Sequence, residues 1–85
     1  MKKIFVNKYV VADPTICHGK PTFVGTRIMV WQILEMLAAG ETEESILKAF
    51  PSLEKQHVKA ALGYASSITR ESYVIINTQN AISPR

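Results

Sequence analysis

At Met29 the spacing of the apolar residues changes, and this change constrains the fold more than any other feature of the chain. Before it come short β-type runs: IFV at 4–6, YVV at 9–11, then TFV and RIMV on either side of Gly25-Thr26. After it Val30, Ile33, Leu34 and Leu37 recur at i, i+3, i+4 and i+7, which predicts a helix over roughly 30–39. Gly40 follows where a left-handed C-cap belongs.

Thr42 then offers an N-cap oxygen, and Glu43 and Glu44 put negative charge in the first turn, where the helix dipole favours it. Ile46, Leu47 and Phe50 form the apolar stripe of this second helix, about 43–50, which Pro51 ends. Beyond a corner at Ser52-Leu53-Glu54, the residues Val58, Ala61, Leu62, Ala65 and Ile68 mark the buried face of a third helix. It starts at 54 or 55 and runs to 70. The expected fold is mainly α: a three-helix, homeodomain-like bundle with helix-turn-helix spacing, preceded by short N-terminal β segments. Residues 1–85 form one domain, with β segments over 1–29, helices over 30–71, and a tail over 72–85 containing a strand-like patch at Tyr73–Ile76. Around Gly25-Thr26 two geometries stay open, a type II′ hairpin and an extended segment with a glycine bulge.

A chain of 85 residues buries only about 60–65% of the surface its unfolded form exposes. That leaves no room for a large private active-site cavity, and makes partner surface a plausible source of further burial. The apolar fraction of 47% is ordinary for a folded protein. One cysteine forms no internal disulfide, and MKK followed only by IFV before Asn7 and Lys8 does not read as a signal peptide. No apolar run approaches the ~20 residues that span a membrane. A reduced, cytoplasmic protein is expected.

Charge is segmented along the chain. From Met1 to Leu34, Lys2, Lys3, Lys8, Lys20 and Arg27 oppose only Asp13, giving +4. Between Glu35 and Glu54, five glutamates oppose only Lys48, giving −4; from Lys55 onward Lys55, Lys59, Arg70 and Arg85 oppose only Glu71, giving +3. The net +3 suggests a polyanionic partner, against the plainer reading of solvated faces.

The stretch ICHGKPTFVGTRI, residues 16–28, carries the residues that most resemble chemistry. Cys17 and His18 are adjacent, and adjacent side chains on an extended chain point apart, so they do not pair as nucleophile and base. A zinc set requires Asp13, Cys17, His18 and His57 all to converge. A P-loop needs its lysine and hydroxyl after the second glycine at a helix start; here Lys20 follows the first glycine and Pro21 removes a donor. Glu41, Glu43 and Glu44 are accounted for by a helix start. We expect no enzyme, no catalytic residue, no metal and no cofactor. His57 reads as an ordinary surface residue.

The third helix is different. With Val58, Ala61, Leu62 and Ala65 inward, Lys55, Gln56, Lys59, Ser66 and Arg70 lie outward, and Gly63 permits close approach at mid-helix. Lys55, Lys59 and Arg70 suit phosphates, and Gln56 suits a base edge from the N-terminal turn, so these four are the candidate DNA-binding residues. A face that docks another protein is the rival reading, and Tyr64 suits either contact.

Asp13, Gly19, Pro21, Gly25 and Arg27 read as an architectural set. The two glycines permit turns, Pro21 stiffens the chain between them, and Phe23, Val24 and Ile28 pack. Arg27, with five donors, is expected to tie carbonyls or Asp13 into a fixed N-terminal unit. Ile4-Phe5-Val6 and Tyr9-Val10-Val11 lie on strands a domain this small can hardly cover twice, which predicts a homodimer.

ADPTICHGKPTFVGTRI, followed by a leucine-rich helix ending in AAG, the corner PSL and the alanine-rich ALGYA, resembles the family called domain of unknown function 433. The likeness runs from Tyr9 to Arg70. It implies a small homeodomain-like unit preceded by short β segments, and a role as the antitoxin half of a toxin–antitoxin pair whose partner is a PIN-like nuclease. No catalytic residue comes with it. Two positions depart from the pattern: Met29 stands where members carry proline, and Glu54 where they carry threonine.

Overall fold

The computed structural model describes residues 2–79, with side chains as far as Arg70. Its elements run β1 (Ile4–Phe5), β2 (Val10–Ala12), β3 (Pro21–Phe23), α1 (Val30–Ala38), α2 (Glu43–Ala49) and α3 (Lys55–Gln79). Three helices and a small three-stranded antiparallel sheet make up the fold, with strand order β1-β2-β3.

Register places Phe5 opposite Val11, Val10 opposite Phe23 and Val11 opposite Thr22. Period-two alternation therefore sends Val10 and Phe23 to one face together, and both are wholly buried. Asn7 shapes the turn from β1 to β2: its Oδ1 accepts the backbone N–H groups of Tyr9 (2.9 Å) and Val10 (3.0 Å). At the next corner Asp13 does the same for Thr15, accepting its N–H at 2.9 Å and its hydroxyl at 2.7 Å.

The turn after β3 is neither of the two geometries expected of it. Thr26 N–H donates to Phe23 O at 2.9 Å, and Gly25, with φ +80°, is the third residue of the turn. A positive φ at that position alone defines type II, where glycine avoids the clash a Cβ would meet. Phe23 N–H then reaches Ile28 O at 3.1 Å, and a bridge joins Thr22 to Met29. Phe23 packs as expected and Ile28 is partly buried against the core, but Val24, at the turn, is exposed.

Met29 N–H donates to Gln32 Oε1 at 3.0 Å as α1 begins, a bond that a proline could not make. At the other end Glu41 N–H bonds Met36 O and Gly40 N–H bonds Leu37 O, both at 3.0 Å, which is the Schellman pattern. Thr42 caps α2 through Oγ1, accepting Ser45 N–H at 3.1 Å. Phe50 N–H still reaches Ile46 O before Pro51 stops the helix, and Leu53, buried, pins the corner.

One core unites these pieces: Val10 and Phe23 from the sheet, Val30 and Ile33 from α1, Ile46 from α2, Leu53 from the corner and Ala61 from α3. Fully burying a side chain such as Phe23 or Ile33 stabilises by about 1.5–3 kcal/mol.

Two expectations about α3 are corrected. Leu62 and Ile68 are not inward: they are 50% and 42% exposed, and Tyr64 packs against the core. Val58 and Ala61 set the centre of the buried stripe, and Leu62 lies about 100° round from Ala61. Nor does the helix end at 70. It continues through Tyr73–Ile76, the patch read as strand-like, to Gln79. A lone strand leaves its backbone groups unpaired, whereas each residue added to a formed helix gains a hydrogen bond. The last residues of the tail, 80–85, lie outside the described residues.

Candidate nucleic-acid interface

α2, its corner and α3 hold the candidate DNA-binding residues on a rigid support. Glu54 N–H donates to His57 Nδ1 at 2.9 Å, closing the first turn of α3 from a side chain three residues on. The His57 ring meets Tyr9 edge-on at a centroid distance of 5.1 Å and Phe23 at 5.5 Å. His57 is thus a half-buried wedge between sheet and helix and not an ordinary surface residue. Asn7 adds a second tie, its Nδ2 donating to Ala60 O at 3.4 Å.

With that side of α3 turned to the sheet, Lys55, Gln56 and Lys59 stand exposed together. They border two shallow grooves. One, of about 400 Å³, is lined by Glu43, Lys55, Gln56, Lys59 and Leu62. The other, of about 420 Å³, lies between α3 and the β1–β2 turn and is lined by Asn7, Lys8, Gln56, Lys59 and Gly63. Arg70 is exposed as well, but eleven residues beyond Lys59 it lies about 16 Å further along the helix axis and borders neither groove. Lys8 and Asn7 line the second of these grooves beside Gln56 and Lys59 and are not among the candidate residues read from the sequence. Asn7 had a local signal, an Asx turn before Tyr9; nothing local says that this turn docks on α3.

The structure places the residues of the architectural set as follows. Asp13 is 8% exposed, and its carboxyl is held below the ordinary carboxylate range. The Thr15 hydroxyl is the first cause and the Thr15 N–H the second; burial opposes them, and Lys3, 3.9 Å from Oδ2, adds less. Pro21 opens β3 opposite Ala12. Cys17, His18 and Gly19 all have positive φ (51°, 58° and 82°), a left-handed turn closed by Gly19 N–H to Ile16 O at 3.0 Å. Two non-glycine residues there cost about 1–2 kcal/mol each. Cys17 Sγ lies 3.6 Å from Arg27 O as a weak donor.

Arg27 is the correction in this set. Its side chain is exposed and makes no hydrogen bond or ion pair among the described residues, so it does not tie Asp13. Thr15, two residues from Asp13, satisfies that carboxyl locally, and the type II turn aims Arg27 at solvent. Among the described residues no three His, Cys, Asp or Glu side chains gather, and no helix is long and apolar enough to cross a membrane.

A third groove lies on another side of α3. It is mostly apolar, about 470 Å³, and lined by Pro21, Val30, Trp31, Leu34, Tyr64 and Ile68 together with the charged Lys20. Trp31 is half exposed there, with its indole N–H 3.3 Å from Met29 Sδ.

No solved structure matches the chain. The uncharacterized protein y4eO of Sinorhizobium fredii (strain NBRC 101917 / NGR234) is 36% identical over 58 residues, which is 68% of this chain and 26% of that protein. The chain therefore spans about a quarter of the length of this relative. A family model described as protein of unknown function (DUF433) matches residues 10–65, from β2 to the middle of α3, and the chain belongs to that family.

Proposed function

We propose that the protein is a cytoplasmic, non-enzymatic antitoxin of a toxin–antitoxin pair, which binds DNA through a homeodomain-like helix-turn-helix and inhibits a PIN-like ribonuclease by docking on it. One observation carries the DNA half of this reading: Lys55, Gln56 and Lys59 are exposed side by side on the opening turns of α3, directly after the α2 corner. Ammonium groups there neutralise phosphates, and an amide on the first turn reaches base edges. The test is duplex affinity against salt for the wild type and for Lys55→Ala plus Lys59→Ala. An affinity that ignores salt, or that both proteins share, would remove the DNA role from α3.

A second reading, a protein-interaction module with no DNA contact, is favoured by the apolar groove around Trp31. Co-expression with the product of the adjacent gene discriminates: a stable complex with no DNA shift selects it. In either case we take the working form to be a homodimer, because Ile4 (65% exposed) and Phe5 (60%) lie on the sheet's open edge.

A further inference from the structure

We infer that the groove between the β1–β2 turn and α3 is a seat for the DNA sugar-phosphate backbone, with Lys8, Lys59 and Gly63 in its lining. The inference rests on the DNA reading above and adds to it a second contact element, outside the helix-turn-helix.

Three observations converge on this groove. Its lining contains two ammonium groups and no carboxylate, whereas the neighbouring groove sets Glu43 beside Lys55 and Lys59. Among the described residues neither Lys8 nor Lys59 has an acidic partner, since the one ion pair there joins Lys3 to Asp13. Phosphate is the group such a lining accepts.

The second observation is rigidity. Lys8 sits in a turn whose backbone is held by Asn7 Oδ1 and which is tied to α3 through Asn7 Nδ2 and the Tyr9–His57 ring contact. The ammonium of Lys8 lies 5.7 Å from the centroid of the Tyr9 ring, within cation–π range. The backbone that carries this cation is held in place before anything binds.

Gly63 supplies the third. Glycine inside a helix is unfavourable, and a Cβ built at Gly63 meets nothing within 4 Å. Internal packing does not require the glycine, and its missing side chain leaves room in the groove that also carries the two lysines.

Binding to a random-sequence duplex is measured as a function of salt for the wild type, Lys8→Ala, Lys8→Arg, Gly63→Ala and Lys55→Ala. The inference expects Lys8→Ala to lower the slope of log affinity against log salt by roughly 0.9 and Lys8→Arg to retain it. Gly63→Ala is expected to raise the thermal midpoint of the free protein while weakening its binding. If Lys55→Ala flattens the slope and Lys8→Ala matches the wild type, the groove is not a contact and the DNA reading survives without it. A wild type that does not bind the duplex overturns both. In a parallel arm, amide resonances of Asn7, Lys8 and Gly63 are followed by NMR. Shifts with inorganic phosphate alone and none with the duplex would make this a small-anion site, and would also overturn the inference.

Discussion

His57 accepts the backbone N–H of Glu54 at 2.9 Å, and through that bond a side chain wedged against two aromatic rings sets where α3 begins. Glu54 itself offers no capping hydroxyl. Here the cap comes from the far side of the turn. His57→Ala is expected to cost about 1–2 kcal/mol, from the lost cap and the lost edge contacts together. His57→Gln, which keeps an acceptor in reach, is expected to recover part of it. Urea denaturation of the three proteins measures this, and equal midpoints would sink the assignment.

Asp13 predicts the sign of an acid response. Its carboxyl titrates lower in the folded protein than in the unfolded chain, so the carboxylate stabilises the fold above the unfolded value of about 3.9. That stability is lost as pH falls through 3.9 toward the folded value. Wild type and Asp13→Asn should therefore differ most near neutrality and converge in acid, as followed by chemical denaturation at a series of pH values. A gap that stayed constant with pH would contradict the carboxylate as its source.

Arg27→Lys is expected to change stability by no more than the roughly 0.5 kcal/mol typical of surface changes, because the guanidinium holds nothing among the described residues. A loss of several degrees in scanning calorimetry would mean that Arg27 is structural after all.

Across α3 the lysines and the glutamine should separate. Lys55→Ala and Lys59→Ala are each expected to weaken binding uniformly across sequences and to lower the salt slope by about 1. Gln56→Ala should instead cost about 1–3 kcal/mol on a preferred site and little on a random duplex. Fluorescence anisotropy with labelled duplexes distinguishes the two patterns. If Gln56→Ala acts equally on both duplexes, it touches no base.

For assembly, light scattering at micromolar concentration should give twice the chain mass. Phe5→Lys, which puts charge on the exposed edge of β1, should give the mass of one chain. A wild type already at one chain mass would remove the dimer.

The helical half of the fold was legible because its signals are local. Val30, Ile33, Leu34 and Leu37 state their own period, Gly40 and Thr42 announce an end and a start, and Pro51 forbids continuation. What escaped was set by distant partners. The sequence of Val24-Gly25-Thr26 fits several turns, and only the Phe23–Ile28 pairing selects type II. Leu62 has the right spacing to be buried, but Tyr64 and Ala61 define the face that packs on the core. The five donors of Arg27 suggest a tie to carbonyls or Asp13, while Thr15, two residues from Asp13, satisfies that carboxylate. Of the candidate site, Lys55, Gln56 and Lys59 followed from one helical period. Lys8 and His57 required knowing that a hairpin turn fifty residues upstream lies against that helix.

Trp31 is the one tryptophan in the chain, and it borders the apolar groove and not the lysine-lined grooves. Trp31 also lines a groove with Gln32, Glu35, Met36 and Phe50, so the protein carries an unlabelled optical reporter for the α1 side of the molecule. Occupation of the apolar groove by a protein partner would blue-shift the indole emission, while a duplex lying along Lys8, Lys55 and Lys59 would leave it near its free value. A single cuvette can therefore tell which of its two faces is engaged.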